Sequence, residues 1–274
     1  MIDATRFQFT EGSVPKAYNE YLVPRVFEPW AHRLLDEVKL GSGDIVLDIA
    51  TGPGTVARVA ASRIGPNGHV FATDISKPML DLARSKAAPA RSARIDYLQS
   101  PASPLPGSSA IFDAVFCQQG LQFFPDKFAA LCEMRRVLKP SGCAAVAVWA
   151  GLERNPIFAA YYAALRATTE CEDLAALMTA PFSWPDGDDL KDAAEQAGFA
   201  RVRLLTLTLP MVLEGGVEQA VRAFAGMPVS CGVDALPRGT RNAFFACLRD
   251  QMAELQVDGK IVGETASNII IATP

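Results

Sequence analysis

The sequence has little histidine and lacks a paired cysteine motif. Its 274 residues include two histidines and six cysteines, and the cysteines do not form a C-x-x-C pair. Structural and catalytic zinc sites draw on clustered cysteine and histidine ligands, so we expect no metal site. Scattered cysteines are typical of reduced, mostly buried thiols, which predicts a cytoplasmic protein without a disulfide framework.

Long apolar runs and an excess of basic residues are also missing. The longest apolar run, Ala144–Ala150, is far shorter than the roughly 20 residues of a membrane-spanning helix, and residues 1–13 lack the apolar core of a signal peptide. The net charge of −4 argues against an extended nucleic-acid partner. We therefore expect a soluble globular protein that acts on a small molecule, with a homodimer as an open alternative.

Strand and helix patterns alternate from residue 41 to residue 149. Repeated strand–helix units predict a parallel sheet with helices packed against it. The predicted strands are Ile45–Ile49, His69–Thr73, Arg94–Leu98, Ala114–Cys117 and Ala144–Trp149, and the helices between most of them are Thr55–Ile64, Pro78–Lys86 and Asp126–Leu138.

The alternation weakens after Trp149. Helices are predicted at Asn155–Ala167 and Asp188–Ala197, a strand at Arg201–Leu209, and a short last edge strand at Asn268–Ala272. Two further helices, Val217–Ala225 and Thr240–Leu255, interrupt the sheet. We expect residues 210–265 to form a helical lid insertion, and residues 41–209 with 266–274 to form the catalytic domain.

The first 40 residues form a separate region rich in proline and aromatic side chains. Pro15, Pro24 and Pro29 divide it, because proline is tolerated in the first turn of a helix but not in its interior. We expect residues 1–40 to form a cap of short helices and turns over the sheet.

A glycine-rich turn follows the first predicted strand, within Val46–Gly54. Gly52, Gly54 and Ala57 fit the G-x-G-x-x-G/A pattern of dinucleotide-binding proteins, so a nicotinamide-dependent oxidoreductase is one interpretation. Asp48 lies where such proteins receive a pyrophosphate, and a carboxylate there repels phosphate. Asp74, at the end of the next strand, is placed to bind a ribose.

Four segments together resemble the class I S-adenosylmethionine-dependent methyltransferases. They are residues 46–54, Asp74–Leu80, Phe112–Phe116 and Leu138–Gly142, whose order and spacing agree with that family. Residues 118–126, QQGLQFFPD, look like the small-molecule branch of ubiquinone/menaquinone-type C-methyltransferases. The resemblance implies a Rossmann-like, mostly parallel, seven-stranded sheet with helices on both faces, and S-adenosylmethionine as cofactor.

The resemblance also implies which residues hold the cofactor. Asp74 would accept hydrogen bonds from both ribose hydroxyls, and Ile75 would flank the adenine. Asp48 would either steer the sulfonium or fix the loop, and the sequence leaves both open. The implied cofactor-binding residues are Tyr21, Asp48, Ala50, Thr51, Gly52, Gly54, Asp74, Ile75, Ser100, Pro101, Ala102, Cys117, Gln118 and Gln122.

Two positions depart from the family pattern. Ala50 replaces the first glycine of the glycine-rich motif, which narrows the pocket slightly. Pro101 stands where many relatives have an aspartate that accepts from the adenine amino group, and proline offers neither a side-chain acceptor nor an N–H. We therefore expect a weakened adenine contact that relies on Ser100, Ala102 or water.

The candidate catalytic residues are His32 and Gln119. His32 is placed in the cap, where it could act as a base, and Gln119 could hold the substrate by hydrogen bonds. Methyl transfer from a sulfonium needs mainly alignment and a dry pocket, so no base is obligatory. Apolar residues of the predicted lid favour a small hydrophobic or aromatic acceptor methylated at carbon or oxygen: Phe224, Met227, Phe244, Phe245 and Met252. A non-catalytic S-adenosylmethionine-binding protein is a further alternative.

Overall fold

The computed structural model describes residues 14–274, so the part of the predicted cap at residues 1–13 lies outside the described residues. Across the described chain, eight strands form one sheet in the order β3-β2-β1-β4-β5-β8-β6, with β7 paired to β8. The strands are Ile45–Ile49 (β1), His69–Asp74 (β2), Arg94–Gln99 (β3), Phe112–Gln118 (β4), Leu138–Trp149 (β5), Arg201–Leu213 (β6), Gln256–Val257 (β7) and Lys260–Thr273 (β8).

Strands β1 to β5 are parallel, and helices cover both faces of the sheet. This confirms the Rossmann-like fold class, with eight strands where seven were predicted. The helices after β1 are Thr55–Ile64 (α3), Lys77–Ser85 (α4), Lys127–Val137 (α5), Pro156–Thr168 (α6), Glu172–Thr179 (α7), Gly187–Gln196 (α8), Gly216–Phe224 (α9), Val229–Asp234 (α10) and Arg238–Ala253 (α11).

The last strand corrects one prediction. β8 has 14 residues and lies inside the sheet, antiparallel to β5 on one side and to β6 on the other, so β6 is the edge strand. Residues 265–270 are all buried, which fits an interior strand flanked on both sides and on both faces. The helices within the predicted insertion occupy residues 216–253, because β6 extends to Leu213 and β8 begins at Lys260.

Within residues 14–36 the structure has one continuous helical segment where short helices and turns were predicted. Val14–Ala17 (α1), a π-helical segment at Tyr18–Phe27 and Glu28–Asp36 (α2) follow one another without a break. Pro24 lies inside the π-helical segment and Pro29 two residues beyond its end, so the helix passes both prolines where it has adopted, or has just left, the wider π hydrogen-bond pattern.

Trp30 fastens this helical segment to the sheet. Its indole N–H donates to Thr265 Oγ1 of β8 at 2.8 Å, and its ring packs edge-on against Trp149 at the end of β5. The N-terminal segment therefore covers one face of the sheet beside β5 and β8. Between residues 14 and 274, no helix is both long enough and apolar enough to cross a membrane.

Candidate functional site

A cavity of about 540 Å³ opens at the carboxyl ends of β1, β2 and β4. In the strand order, β1 and β4 are the neighbours at which the direction of winding reverses, and open α/β sheets bind ligands at this place. Nine of the sequence-predicted site residues line this cavity: Ala50, Gly52, Asp74, Ile75, Ser100, Pro101, Ala102, Gln118 and Gln119.

The glycine-rich turn takes a sharp course between β1 and α3. Gly54 is the N-cap of α3 with φ of 79°, a left-handed conformation that favours glycine, and a Cβ there would lie 2.8 Å from the Tyr97 hydroxyl. Gly54 therefore permits close packing beneath the turn but does not line the cavity. Gly52, which also has a positive φ of 55°, faces the cavity instead.

Asp48 holds the turn in place from below. It is buried, and one carboxylate oxygen accepts hydrogen bonds from the Thr51 hydroxyl and, at 3.0 Å, from the Ala57 N–H. Neither Asp48 nor Thr51 lines the cavity. Of the two roles that the sequence left open, this geometry favours fixing the loop. Burial raises the pKa of Asp48 to about 7, against an ordinary value of 3.8.

This raised pKa predicts a pH dependence of stability. Between the ordinary and the raised pKa, the folded protein binds a proton that the unfolded chain releases, so the free energy of unfolding falls as pH rises through this window and levels off above about pH 7. Asp48→Asn, which retains an acceptor oxygen, should reduce this fall by about 2 kcal/mol between about pH 5 and about pH 7. Urea unfolding of the wild-type protein and the variant across that pH range measures the difference. The same dependence of the free energy of unfolding on pH in both proteins would contradict the prediction.

Asp74 is the last residue of β2, and its carboxylate links that strand to the glycine-rich turn. One carboxylate oxygen accepts from the Gly52 N–H and the other from the Ser76 N–H, both at 2.8 Å. Ser76, rather than Asp74, is the N-cap of α4, because its hydroxyl accepts from the Met79 N–H. Burial raises the pKa of Asp74 above its ordinary value. Its carboxylate therefore lines the cavity in a fixed orientation, with lone pairs left for a ligand.

An exposed apolar side chain marks the rim beside Asp74. Ile75 is 64% exposed although it lines the cavity, and Gln99 Nε2 donates to its carbonyl at 3.0 Å. Ser100, Pro101 and Ala102 line the cavity next to Asp74, because β3 is the neighbour of β2 and the Ser100 N–H donates to the Asp74 carbonyl at 3.1 Å. The Ser100 hydroxyl donates to the Pro101 carbonyl at 2.9 Å, so the loop itself uses that donor.

Three glutamines follow β4 and carry unpartnered polar atoms. Among the described residues, the buried side-chain oxygens of Gln118, Gln119 and Gln122, together with the Gln122 amide nitrogen, have no hydrogen-bond partner. Gln118 Nε2 donates to the Phe27 carbonyl at 2.9 Å, and Gln119 Nε2 donates to Ser267 Oγ at 2.6 Å. Gln118 and Gln119 line the cavity, whereas Gln122 does not.

A second cavity, of about 70 Å³, adjoins the first and is largely aromatic. Tyr18, Gln119 and Phe123 line both cavities and so form the boundary between them. The sequence did not indicate most of the other lining residues, which come from the N-terminal helix, the end of β5, α6, α7 and the turn after it, and the segment that leads into α10: Leu22, Phe27, Trp149, Phe158, Leu177, Met178, Pro181, Phe182, Gly226, Met227, Pro228 and Val229.

Of the five apolar lid residues predicted to face an acceptor, only Met227 lines this second cavity. Phe224, Phe244 and Phe245 pack against one another, and Phe224 also packs on Tyr161. Met252 is fully buried. These side chains therefore form the core of the helical segment. One feature of the sequence could have indicated the second cavity. Trp149 ends β5, at the edge of the sheet where ligands bind.

The remaining predicted residues lie away from both cavities. His32 is exposed and lines neither cavity, so its position does not support a role as a base. Tyr21 lines neither cavity, although its neighbour Tyr18 lines both. Cys117 is buried beneath the site, and burial raises the pKa of its thiol.

Comparison with known proteins identifies the family. The sequence model of a family described as "Methyltransferase domain" matches residues 46–142. A ubiquinone/menaquinone biosynthesis C-methyltransferase of Xylella fastidiosa is 36% identical over 138 residues, which cover 49% of this chain and 54% of that protein. A demethylmenaquinone methyltransferase of Staphylococcus aureus is 30% identical over 190 residues, which cover 65% of this chain and 77% of that protein.

Solved structures share the fold at lower identity. Phosphoethanolamine N-methyltransferase 2 of Haemonchus contortus, solved with S-adenosylhomocysteine, matches with a TM-score of 0.58 and 16% identity over 94% of this chain and 56% of that chain. A SAM-dependent methyltransferase of Aquifex aeolicus matches with a TM-score of 0.52 and 21% identity over 70% of this chain and 91% of that chain. The chain belongs to the class I S-adenosylmethionine-dependent methyltransferases and is similar to the ubiquinone/menaquinone-type C-methyltransferases among them.

Proposed function

We propose that this protein transfers a methyl group from S-adenosylmethionine to a carbon or oxygen atom of a small aromatic or hydrophobic metabolite. The observation that carries this proposal is the second cavity. Its apolar and aromatic walls adjoin the larger cavity at Tyr18, Gln119 and Phe123, so an acceptor that lies at this boundary with one end in the second cavity would meet a cofactor held in the larger one. Apolar walls with few polar groups are typical of sites for small organic ligands.

The larger cavity has the chemical groups that S-adenosylmethionine requires. Asp74 would accept hydrogen bonds from the ribose hydroxyls, and the largely exposed side chain of Ile75 would cover one face of the adenine. The buried, unpartnered Gln118 Oε1 is an acceptor suited to the ammonium of the methionine part. Gly52 leaves the backbone open beside it, since a Cβ built there would meet nothing within 4 Å.

The chemistry that we propose depends on position rather than on a protein base. When bound, S-adenosylmethionine supplies a methyl group whose bond to sulfur breaks, with the electron pair kept by sulfur, as an electron pair of the acceptor forms the new bond and the acceptor's proton passes to water. Holding the reacting groups in line can contribute roughly 7 to 11 kcal/mol to lowering the barrier. The apolar walls exclude competing water.

The titratable side chains around the two cavities agree with this mechanism. Tyr18, Asp74 and Asp126 are the titratable residues in the two linings. Burial, with a smaller effect of Asp74, raises the pKa of Tyr18 well above its ordinary value, so its phenol remains protonated. Asp126 is exposed and accepts from the Ala129 N–H as the N-cap of α5. We infer that the acceptor brings its own electron-rich atom.

The relatives' names support an aromatic ring as acceptor. The two bacterial relatives are a demethylmenaquinone methyltransferase and a ubiquinone/menaquinone biosynthesis C-methyltransferase, and both names refer to quinones. A flat ring packed against aromatic side chains such as Trp149 or Phe123 gains aromatic contacts as well as burial. Methylation of a ring carbon in a quinone-type or phenolic compound is therefore our favoured form of the reaction.

One experiment tests both catalysis and the acceptor. The protein is incubated with S-adenosylmethionine labelled in its methyl group and with a metabolite extract, and labelled products are identified by mass spectrometry. We expect a labelled aromatic product. Thermal shifts with S-adenosylhomocysteine and with NAD(H) form the control, because a ligand that binds only the folded state raises the melting temperature. Cofactor binding without labelled product from any extract would favour a non-catalytic binding protein.

A further inference from the structure

Gln119 occupies the boundary between the two cavities. It is the first residue after β4, it lines both cavities, and it is 7% exposed. Apart from the Tyr18 hydroxyl and the Trp149 indole N–H, which are donors, the other side chains that line the second cavity are apolar. Its amide is therefore the principal side-chain group available there to recognise a polar atom on an otherwise apolar acceptor.

The backbone of Gln119 is in an unfavourable conformation for its residue type. Its φ is 54°, in the left-handed region that glycine and asparagine adopt more readily. The N–H still donates to the Ala147 carbonyl of β5 at 2.8 Å, so the residue stays joined to the sheet. Strain of this kind is concentrated at functional sites, where the surrounding structure maintains it.

The side-chain amide is held on one side and unpartnered on the other. Nε2 donates to Ser267 Oγ of β8 at 2.6 Å, whereas the buried Oε1 has no partner among the described residues. A buried acceptor without a donor costs about 1 to 3 kcal/mol, so a ligand that supplies an O–H or N–H gains that amount relative to one that does not. Ser267 reaches the amide because β8 is an interior strand beside β5.

We propose that Gln119 is a specificity-determining residue: Oε1 accepts a hydrogen bond from a hydroxyl or N–H of an aromatic acceptor at the boundary of the two cavities, and Ser267 holds the amide in that orientation. This inference rests on the proposed function for the location of the acceptor. The hydrogen bond orients the ring, and through it the methylated atom, with respect to the cofactor cavity. Gln119 is here a positioning residue, since an amide removes no proton.

Equilibrium dialysis with matched ligands tests this role without measuring turnover. With S-adenosylhomocysteine present, binding of 1-naphthol, which has a hydroxyl donor, is compared with binding of 1-methoxynaphthalene and naphthalene, which have none. We expect wild-type protein to bind 1-naphthol about tenfold more tightly than either. In Gln119→Met, which keeps the length of the side chain, the preference should fall to about one, with the binding of naphthalene changed less than about twofold.

Three further variants keep the test decisive. Gln119→Gly relieves the positive φ and should also lose the preference, which covers the case in which Gln119→Met fails to fold. Ser267→Ala should give an intermediate preference, because the amide is no longer held. Gln122→Met, a buried glutamine outside both cavities, should retain the full preference.

The outcomes separate this inference from the proposed function. Equal binding of the three ligands by the wild-type protein, no detectable binding of any of them, or a preference that survives in both Gln119 variants would each overturn the role of Gln119. None of these results would affect the assignment of the cofactor. Failure of the wild-type protein to show a thermal shift with S-adenosylhomocysteine would instead count against the proposed function.

Discussion

Asp74→Ala is expected to weaken the binding of S-adenosylhomocysteine by about 100-fold or more. Two hydrogen bonds to a buried carboxylate are lost, and a hydrogen bond to a charged group contributes about 1.5 to 3 kcal/mol. The substitution also releases the N–H groups of Gly52 and Ser76, which Asp74 holds at 2.8 Å on either side of the cavity. The dissociation constants, measured by isothermal titration calorimetry, give the effect directly.

An acidic residue on the neighbouring helix provides the matched control. Asp81 lies on α4, pairs with Lys77 and Arg84, and lines neither cavity. Asp81→Ala should therefore leave the dissociation constant within about twofold, since an exposed ion pair contributes little, and what it contributes is to stability rather than to binding. If Asp74→Ala also binds within threefold of the wild-type protein, Asp74 is not the ribose-binding residue.

The parallel half of the sheet was predictable because its strands are local features of the sequence. β1 matches its predicted bounds, and the apolar runs at β2 and β3 end within one residue of the predictions. β8 was not predictable in the same way. Its buried run is short within a longer alternating segment, and only pairing with β5 and β6, more than a hundred and more than fifty residues away, decides that it lies inside the sheet.

The same distinction applies to the site. Asp74 and Gln118 are the last residues of β2 and β4, and Ile75 follows Asp74. Because parallel strands place their carboxyl ends at one edge, the sequence was sufficient to bring these residues together. The second cavity depends on how the N-terminal helix and the segment before α10 pack over Trp149. Only long-range packing determines such contacts. For the same reason, proximity in sequence to Trp30 was a poor guide to the position of His32, which faces outward.

Ala50, where the sequence departs from the family pattern, lies next to Gly120. Ala50 has φ of 55°, a conformation that suits the glycine of its relatives, and its methyl group faces Gly120. A Cβ built on Gly120 would lie 2.7 Å from the Ala50 Cβ and 3.2 Å from Cys117 Sγ. There is therefore room for one methyl group, but not for two, between these positions at the edge of the cofactor cavity. Because residue 120 is glycine, the methyl group of Ala50 fits there.

Gly120→Ala is expected to lower the free energy of unfolding by about 3 kcal/mol, because overpacking next to rigid neighbours forces the backbone to move. Ala50→Gly should raise it by about 0.5 to 1 kcal/mol, since it relieves a left-handed conformation that disfavours alanine. The double variant removes the closer of the two clashes, so it should recover most of the loss. Denaturant unfolding of the four proteins yields the coupling energy of the pair.

The sign and size of this coupling distinguish a shared space from two independent effects. If the two sites were independent, the change in the free energy of unfolding of the double variant would equal the sum of the changes in the single variants within about 0.5 kcal/mol. A shared space requires a favourable coupling of about 1.5 kcal/mol or more, with the remaining loss due to Cys117 Sγ, which Ala50→Gly does not remove. Because Ala50 and Gly120 both line the cavity, recovery of stability should be accompanied by recovery of S-adenosylhomocysteine binding. Stability that recovers without the binding would mean that the Ala50 methyl group itself contacts the cofactor.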